Sequence, residues 1–320
     1  MTGHGVPLRP WQERALRWAL DTPGHRLIQA PPGAGKSRLG YEVAAHWLAA
    51  GSANRVLWAA PSVALVDQAH VAACRYVRTP AFAQLSGVQA PPGCRFIITT
   101  HSSAARFLAN ASERDLLIFD EAHHANTDAL TNFATAQKPP QCLGLSASPW
   151  SVGLAQAFPA RWVYSLTEAL QDGSLVPLRV LEQMPSTRKP LTLHFVYRVQ
   201  EARQKARDCG GISFVAGDSL DVLKPWLSGR VADLFACARL GEGYDVPECA
   251  RVLVHRRTHS EIWAYQAVGR ALRPRPGKRH GEAFCVHEET AAALARALTW
   301  ADTGPPADRA ALGMYAALGG

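Results

Sequence analysis

LIQAPPGAGKS, residues 27–37, is the part of the sequence from which the architecture is best predicted. A short apolar run leads into a Pro/Gly loop that ends in Gly35, Lys36 and Ser37, and a helical pattern follows from Arg38. A phosphate-binding loop has this order: glycines expose backbone N–H groups, the lysine reaches the outer phosphates, and the hydroxyl ligates Mg²⁺. Ala30 stands where the general pattern has its first glycine. A Gly/Pro loop without phosphate is the alternative.

Short apolar runs alternate with helical patterns along the whole chain. In the first half these runs are residues 56–60, 96–100, 116–119 and 142–145. Continuous apolar strands separated by helices are typical of a parallel sheet covered on both faces. A second series, beginning with 163–166, follows a joint that we place within residues 148–162, where Pro and Gly recur. We therefore predict two α/β domains in tandem, residues 1–160 and 161–302, and a tail over 303–320.

Composition and charge favour a polyanionic partner. The 320 residues carry 34 basic and 26 acidic side chains, a net charge of +8, and the pI is near 9.3. Arg supplies 28 of the basic residues, which suits phosphate contacts, and a genome rich in G+C would raise Arg equally. The seven cysteines are scattered, so we expect neither a zinc site nor disulfides. Without a signal peptide or a span of ~20 apolar residues, we expect a cytoplasmic protein of bacterial or phage type without membrane contact.

Two further stretches carry chemistry. Asp120 and Glu121 follow the apolar run 116–119, and the carboxyl end of a parallel strand would place them beside the phosphate loop. Asp120 would then hold Mg²⁺ and Glu121 would act as general base; a helix N-cap is the alternative. On a helix predicted over residues 260–272 and just beyond, Gln266, Arg270 and Arg273 share one face. Two guanidiniums on that face can stabilise a transferring phosphoryl group, unless the face is merely solvated.

Taken together, these motifs resemble superfamily 2 helicases and translocases with a DEAH box, in the branch of type I and III restriction motors and repair helicases. The opening motif is Leu8-Arg9-Pro10-Trp11-Gln12, and the phosphate loop is residues 30–37. Motif Ia begins at Ala60-Pro61-Ser62 and extends to Gln68, and a further strand-binding motif is Thr99-Thr100-His101. The DEAH box is Asp120-Glu121-Ala122-His123, and Ser146-Ala147-Ser148 replaces the usual Ser-Ala-Thr. In the second half the motifs are His194-Phe195-Val196, Gly241 to Pro247, and Gln266 to Arg273.

The resemblance implies two RecA-like lobes with an ATP cleft between them, and it implies a role for each matching residue. The catalytic residues are Lys36, Asp120, Glu121, Arg270 and Arg273. The ATP-binding residues are Gln12, which contacts adenine, Gly33, Gly35, Lys36, Ser37, Asp245 and Gln266. The residues that couple hydrolysis to lobe movement are His123, Ser146 and Ser148. The nucleic-acid-binding residues are Pro61, Gln68, Thr100, His101, Phe195 and Gly243. The Mg²⁺ ligands are Ser37 and Asp120, partly through water.

The function that the resemblance implies is that of an ATP hydrolase, a helicase or translocase that uses ATP and Mg²⁺ to move along or remodel nucleic acid, with DNA favoured. We expect a monomeric motor, with a replication, repair or restriction protein as a possible partner. Two alternatives stay open: an ATP-dependent RNA helicase, and an ATP-gated DNA-binding or loading module that does not unwind.

Overall fold

The computed structural model describes residues 7–51, 55–79, 81–83, 93–108, 114–125, 141–185, 190–237 and 249–305. Within these residues the chain forms two compact units: the first extends to Ser165, apart from Pro31–Ala34, and the second consists of those four residues and Leu166–Gly304. Each unit contains a parallel sheet, and the predicted fold class of two RecA-like α/β lobes is confirmed. No helix in the described ranges combines the length and the apolar character needed to cross a membrane.

The sheet of the first lobe has seven strands in the order β3-β4-β2-β5-β6-β1-β7. Their bounds are β1 His25–Gln29, β2 Val56–Ala60, β3 Ala81–Ala83, β4 Phe96–Thr100, β5 Leu116–Phe119, β6 Gln141–Ser146 and β7 Ala160–Val163. Every residue of β1, β2 and β5 is buried, as continuous apolar strands covered on both faces require. The helices are α1 Pro10–Asp21, α2 Lys36–Ala49, α3 Val63–Tyr76, α4 His101–Leu108 and α5 Val152–Ala157.

The sheet of the second lobe has six strands in the order β10-β11-β9-β12-β13-β8. Their bounds are β8 Leu178–Val180, β9 Thr192–Val196, β10 Ile212–Phe214, β11 Asp233–Cys237, β12 Arg251–Val254 and β13 Gly281–Cys285. The helices are α6 Leu166–Gln171, α7 Val199–Cys209, α8 Lys224–Leu227, α9 Glu261–Val268 and α10 Glu288–Thr303. All strand pairings described in this lobe are parallel, with β9 in register between β11 and β12.

Two sequence predictions differ from the structure. Residues 163–166 were predicted to start the second sheet, but β7 (Ala160–Val163) pairs with β1 in the first one. Tyr164, just beyond this strand, stacks on Trp11 of α1 with ring centroids 4.6 Å apart, so packing holds this segment to the first lobe. The predicted helix over 260–272 is also shorter, because α9 ends at Val268 and a 3₁₀ turn, Gly269–Ala271, follows.

Candidate nucleotide-binding site

The phosphate loop has the backbone that its glycines predict. Gly33 and Gly35 have φ angles of +82° and +102°, in a region that residues with a Cβ rarely enter. Gly35 is the N-cap of α2, and Lys36 is the first residue of that helix. A side chain at Gly35 would also meet the amide of Gln12, since its Cβ would lie 2.9 Å from Nε2. The loop therefore presents the N-terminus of a 14-residue helix to an anion.

Side chains from two distant parts of the sequence meet at this loop. The hydroxyl of Ser37 donates to Oδ2 of Asp120 at 3.0 Å, and Nζ of Lys36 donates to the carbonyl of Ala30 at 3.1 Å. β1 and β5 bring these residues together because both strands end at the same edge of the sheet. A hydroxyl beside a carboxylate is an oxygen donor pair of the kind that Mg²⁺ prefers. Ser37 and Asp120 therefore fit the ion that the sequence predicts here.

Asp120 and Glu121 are unusual in different ways, the first in its pKa and the second in its backbone. Burial, and then the charge of Glu121, raises the pKa of Asp120 to about 7, against the lowering effects of Ser37 and Lys36. A nearby cation would relieve this cost by favouring the charged form. Glu121 has φ +47° and ψ +55°, and it is the only described residue other than glycine with positive φ. Such a backbone costs about 1–3 kcal/mol and is found most often at functional sites.

The three predicted coupling residues lie together beside Glu121. Nδ1 of His123 lies 3.0 Å from Oγ of Ser146 and 3.6 Å from Oε2 of Glu121. The backbone N–H of Ser148 donates to the same Ser146 oxygen at 3.2 Å. Ser146 is fully buried, and its carbonyl accepts from the N–H of Ala30 at 3.2 Å. A chain of polar contacts therefore runs from Glu121 through His123 and Ser146 to the start of the phosphate loop.

Gln12 uses both ends of its side-chain amide within the first lobe. Oε1 accepts from the backbone N–H of Arg9 at 2.9 Å, and Nε2 donates to the carbonyl of Gly35 at 3.0 Å. The side chain is 4% exposed. Gln12 thus ties α1 to the phosphate loop, and its contact with adenine stays a prediction.

Aromatic packing next to Gln12 was not predicted from the sequence. Its neighbour Trp11 is fully buried and stacks on Tyr164, with centroids 4.6 Å apart and planes 8° apart. Trp162 lies on the same group, 6.1 Å from Trp11. The sequence does show a tryptophan directly before the glutamine and two aromatic residues at the end of β7. Because these two groups are far apart in sequence, only the fold reveals that they are in contact.

The predicted nucleic-acid contacts of the first lobe occupy two environments. Pro61 and Gln68 lie at the end of β2 and on α3, and both are partly exposed. Thr100 binds the hydroxyls of Ser102 and Ser103 at 3.0 and 3.1 Å, at the start of α4. His101 differs, because its Nε2 donates to the carbonyl of Asp120 at 2.9 Å. Burial lowers the pKa of His101 to about 4, so this neutral ring supports the carboxylate loop, and its contact with a nucleic-acid strand stays a prediction.

The predicted residues of the second lobe are placed as follows. Gln266 and Arg270 are 1% and 4% exposed, on α9 and in the 3₁₀ turn after it. Arg273 lies beyond both and is partly exposed, so the single helical face predicted for these residues is wrong. Phe195 is fully buried in β9, and its side chain cannot make the predicted nucleic-acid contact. Gly243 and Asp245 lie outside the described residues.

Comparisons with known proteins give the first lobe a family resemblance. Residues 5–151 match the family described as the res subunit of type III restriction enzymes. Two sequences of an uncharacterized Mycobacterium tuberculosis protein, from strains CDC 1551 / Oshkosh and ATCC 25618 / H37Rv, are 34% identical over 133 residues. That match covers 39% of this chain and 22% of theirs, so this chain spans only part of the length of these curated relatives.

Solved structures resemble both lobes. An ATP-dependent Type ISP restriction-modification enzyme, LlaBIII, bound to DNA, matches with a TM-score of 0.70 and 15% identity, over 93% of this chain and 30% of that one. Dbp5 of S. cerevisiae, bound to RNA and ADP BeF3, matches with a TM-score of 0.64 and 15% identity, over 90% and 86% of the two chains. The chain shares the fold of LlaBIII and Dbp5, and its first lobe matches the res-subunit family of type III restriction enzymes.

Proposed function

We propose that the protein is an ATP-dependent motor that moves along or remodels DNA. The observation that carries the proposal is the 3.0 Å contact between Ser37 and Asp120, beside the phosphate loop whose helix begins at Lys36. Loop, lysine, hydroxyl and carboxylate are the groups that bind a nucleoside triphosphate with its metal ion. The family match of the first lobe supports the same reading.

In the proposed reaction a water molecule attacks the γ-phosphorus of ATP. Its proton passes to the Glu121 carboxylate, the bond from phosphorus to the β–γ bridging oxygen breaks, and ADP leaves with that electron pair. Lys36 supplies positive charge to the outer phosphates. Mg²⁺, held by Ser37 and Asp120, would neutralise charge on the phosphate oxygens.

The second lobe contributes the remaining charges of the proposed motor. Arg270 and Arg273 stabilise the negative charge of the transferring phosphoryl group, an effect that reaches ~10³-fold or more in rate. Hydrolysis releases the phosphate on which the charged residues of both lobes are proposed to act. The path from Glu121 through His123 to Ser146 would transmit that loss to the strand ends that grip nucleic acid.

DNA is the substrate that we propose, for two reasons. The first-lobe match is to a restriction-enzyme family, and LlaBIII, which has a similar fold, was determined bound to DNA. The net charge of +8 suits either polynucleotide. RNA remains the second candidate because Dbp5, also similar in fold, was determined bound to RNA. Competition between the two polymers for stimulation of ATP turnover separates these candidates.

ATP turnover with and without DNA tests the proposal. We expect the wild type to be stimulated by DNA, and Lys36→Ala and Arg270→Ala to lose about 100-fold or more of that rate, because each removes a charge from the phosphates. Lys224→Ala and Arg230→Ala are matched controls, since both residues are exposed on the second lobe, and they should retain it. Equal, unstimulated turnover in all five proteins would refute the proposed function.

A further inference from the structure

An exposed aromatic residue lies just after β9, outside the motif that contains the buried Phe195. Tyr197 follows the last residue of β9, and 63% of its surface is exposed. It is the most exposed of the large hydrophobic residues in the described chain. An exposed ring at the carboxyl end of a parallel strand lies where α/β sheets bind their ligands.

The backbone of Tyr197 is fixed on both sides. Its N–H donates to Oε2 of Glu201 in α7 at 3.2 Å, and its carbonyl accepts from the thiol of Cys237 at the end of β11, at 3.1 Å. Two neighbouring elements thus hold the backbone that carries the ring, while the side chain stays largely exposed. A ring on a fixed backbone has only its side-chain torsions to restrict when it binds a flat ligand.

Arg256 stands behind this ring. Its guanidinium carbon lies 6.0 Å from the Tyr197 ring centroid and 4.6 Å from that of Trp263. Trp263 in turn meets the edge of the buried Phe195, with centroids 5.3 Å apart. Among the described residues, Nε of Arg256 is buried without a hydrogen-bond partner. The four side chains form a continuous series of contacts from the core of the lobe to its surface.

We propose that Tyr197, supported by Arg256, stacks on an unpaired nucleobase of a bound single strand. Stacking on an aromatic ring is tolerant of sequence, and a cation behind the ring strengthens it. Arg198, exposed next to Tyr197, supplies positive charge for the adjoining phosphate. The inference rests on the proposed function and adds a base contact to a motor otherwise expected to grip phosphates.

The test compares two fluorescent DNA single strands of equal length, one with bases and one abasic over its central part, by anisotropy. Stacking is worth about a tenfold difference in affinity, so the wild type should prefer the base-bearing strand by about that factor. Tyr197→Ala should reduce the ratio to near one, whereas Tyr197→Phe should keep it. Leu227→Ala truncates an apolar side chain that is 37% exposed elsewhere in the lobe, and it should also keep the ratio.

The outcomes separate this inference from the proposed function. An unchanged ratio in Tyr197→Ala, with DNA-stimulated ATP turnover intact, overturns the stacking contact alone and would leave Tyr197 as a surface for another partner. A wild type that binds neither strand and shows no stimulation overturns both proposals. Arg256→Lys keeps the charge but loses the planar group, and a ratio reduced in this variant supports the role of the guanidinium behind the ring.

Discussion

Ser146→Ala is the change that tests the path between the carboxylates and the phosphate loop. Its hydroxyl is fully buried, lies 3.0 Å from Nδ1 of His123 and accepts from the N–H of Ser148 at 3.2 Å. Removing it leaves a buried N–H without this acceptor and deprives His123 of one contact. A buried polar group that loses its partner costs about 1–3 kcal/mol, so we expect the variant to lose about 2–4 kcal/mol of unfolding free energy.

That loss should appear in the unfolding transition of the first lobe. For a lobe of this size, 1 kcal/mol corresponds to about 2–4 °C, so thermal scanning fluorimetry should show a midpoint lower by about 4–16 °C. Ser151→Ala is the matched control. Its hydroxyl accepts only from the N–H of Leu154 at 3.2 Å as the N-cap of α5, and its loss costs about 1 kcal/mol.

Function separates the two serines more sharply than stability does. At a temperature where both variants are folded, Ser146→Ala should lose most of the DNA stimulation of ATP turnover, because His123 no longer reaches the end of β6. Ser151→Ala should keep that stimulation. A Ser146→Ala protein with an unchanged midpoint and full stimulation would show that the hydrogen bonds to this oxygen carry neither stability nor coupling.

Two further predictions concern the second lobe. Burial, and then the charges of His194, Lys205 and His287, lower the pKa of His255 to about 3, whereas the unfolded chain protonates histidine near pH 6.5. The contribution of His255 to the unfolding free energy is therefore complete above about pH 6.5 and is lost as the pH falls toward 3. At pH 5 about 2 kcal/mol of it should be lost. Chemical denaturation at several pH values should show a weaker pH dependence for His255→Gln. Asp302, at the end of α10, accepts from the backbone N–H groups of Leu166 and Thr167 at the start of α6. Asp302→Ala should therefore lower the unfolding free energy of the second lobe by about 1–2 kcal/mol. An unchanged unfolding free energy would refute this capping role.

Strands buried on both faces were the part of the fold that the sequence predicted best. The apolar runs 56–60, 96–100 and 116–119 coincide with β2, β4 and β5. A short continuous apolar run between turn residues is typical of a strand that is buried on both faces. The edge strand β7 was assigned to the wrong sheet. Its burial alternates, and the stacking of Tyr164 on Trp11 joins residues more than 150 positions apart in sequence.

The site was predictable as a set of residue types but not as a geometry. Spacing indicated that Ser37 and Asp120 would meet, and they do so at 3.0 Å. Spacing could not indicate that Glu121 takes a positive φ, since residues other than glycine rarely adopt that backbone. It also could not separate His101 from its hydroxyl-bearing neighbours, because only the fold places this ring beneath the Asp120 carbonyl.

Phe195 and Tyr197 show that the motif did not predict which aromatic residue is exposed. The resemblance assigns the motif to residues 194–196, all of which lie within β9, and both faces of that central strand are covered, so an aromatic residue there must pack in the core. Tyr197 is two positions further on and would point to the same face if the strand continued. The strand ends at Val196, the Glu201 carboxylate accepts from the N–H of Tyr197 at the turn into α7, and the Tyr197 side chain is exposed. The end of a strand, which a motif does not record, decides whether an aromatic side chain can reach a ligand.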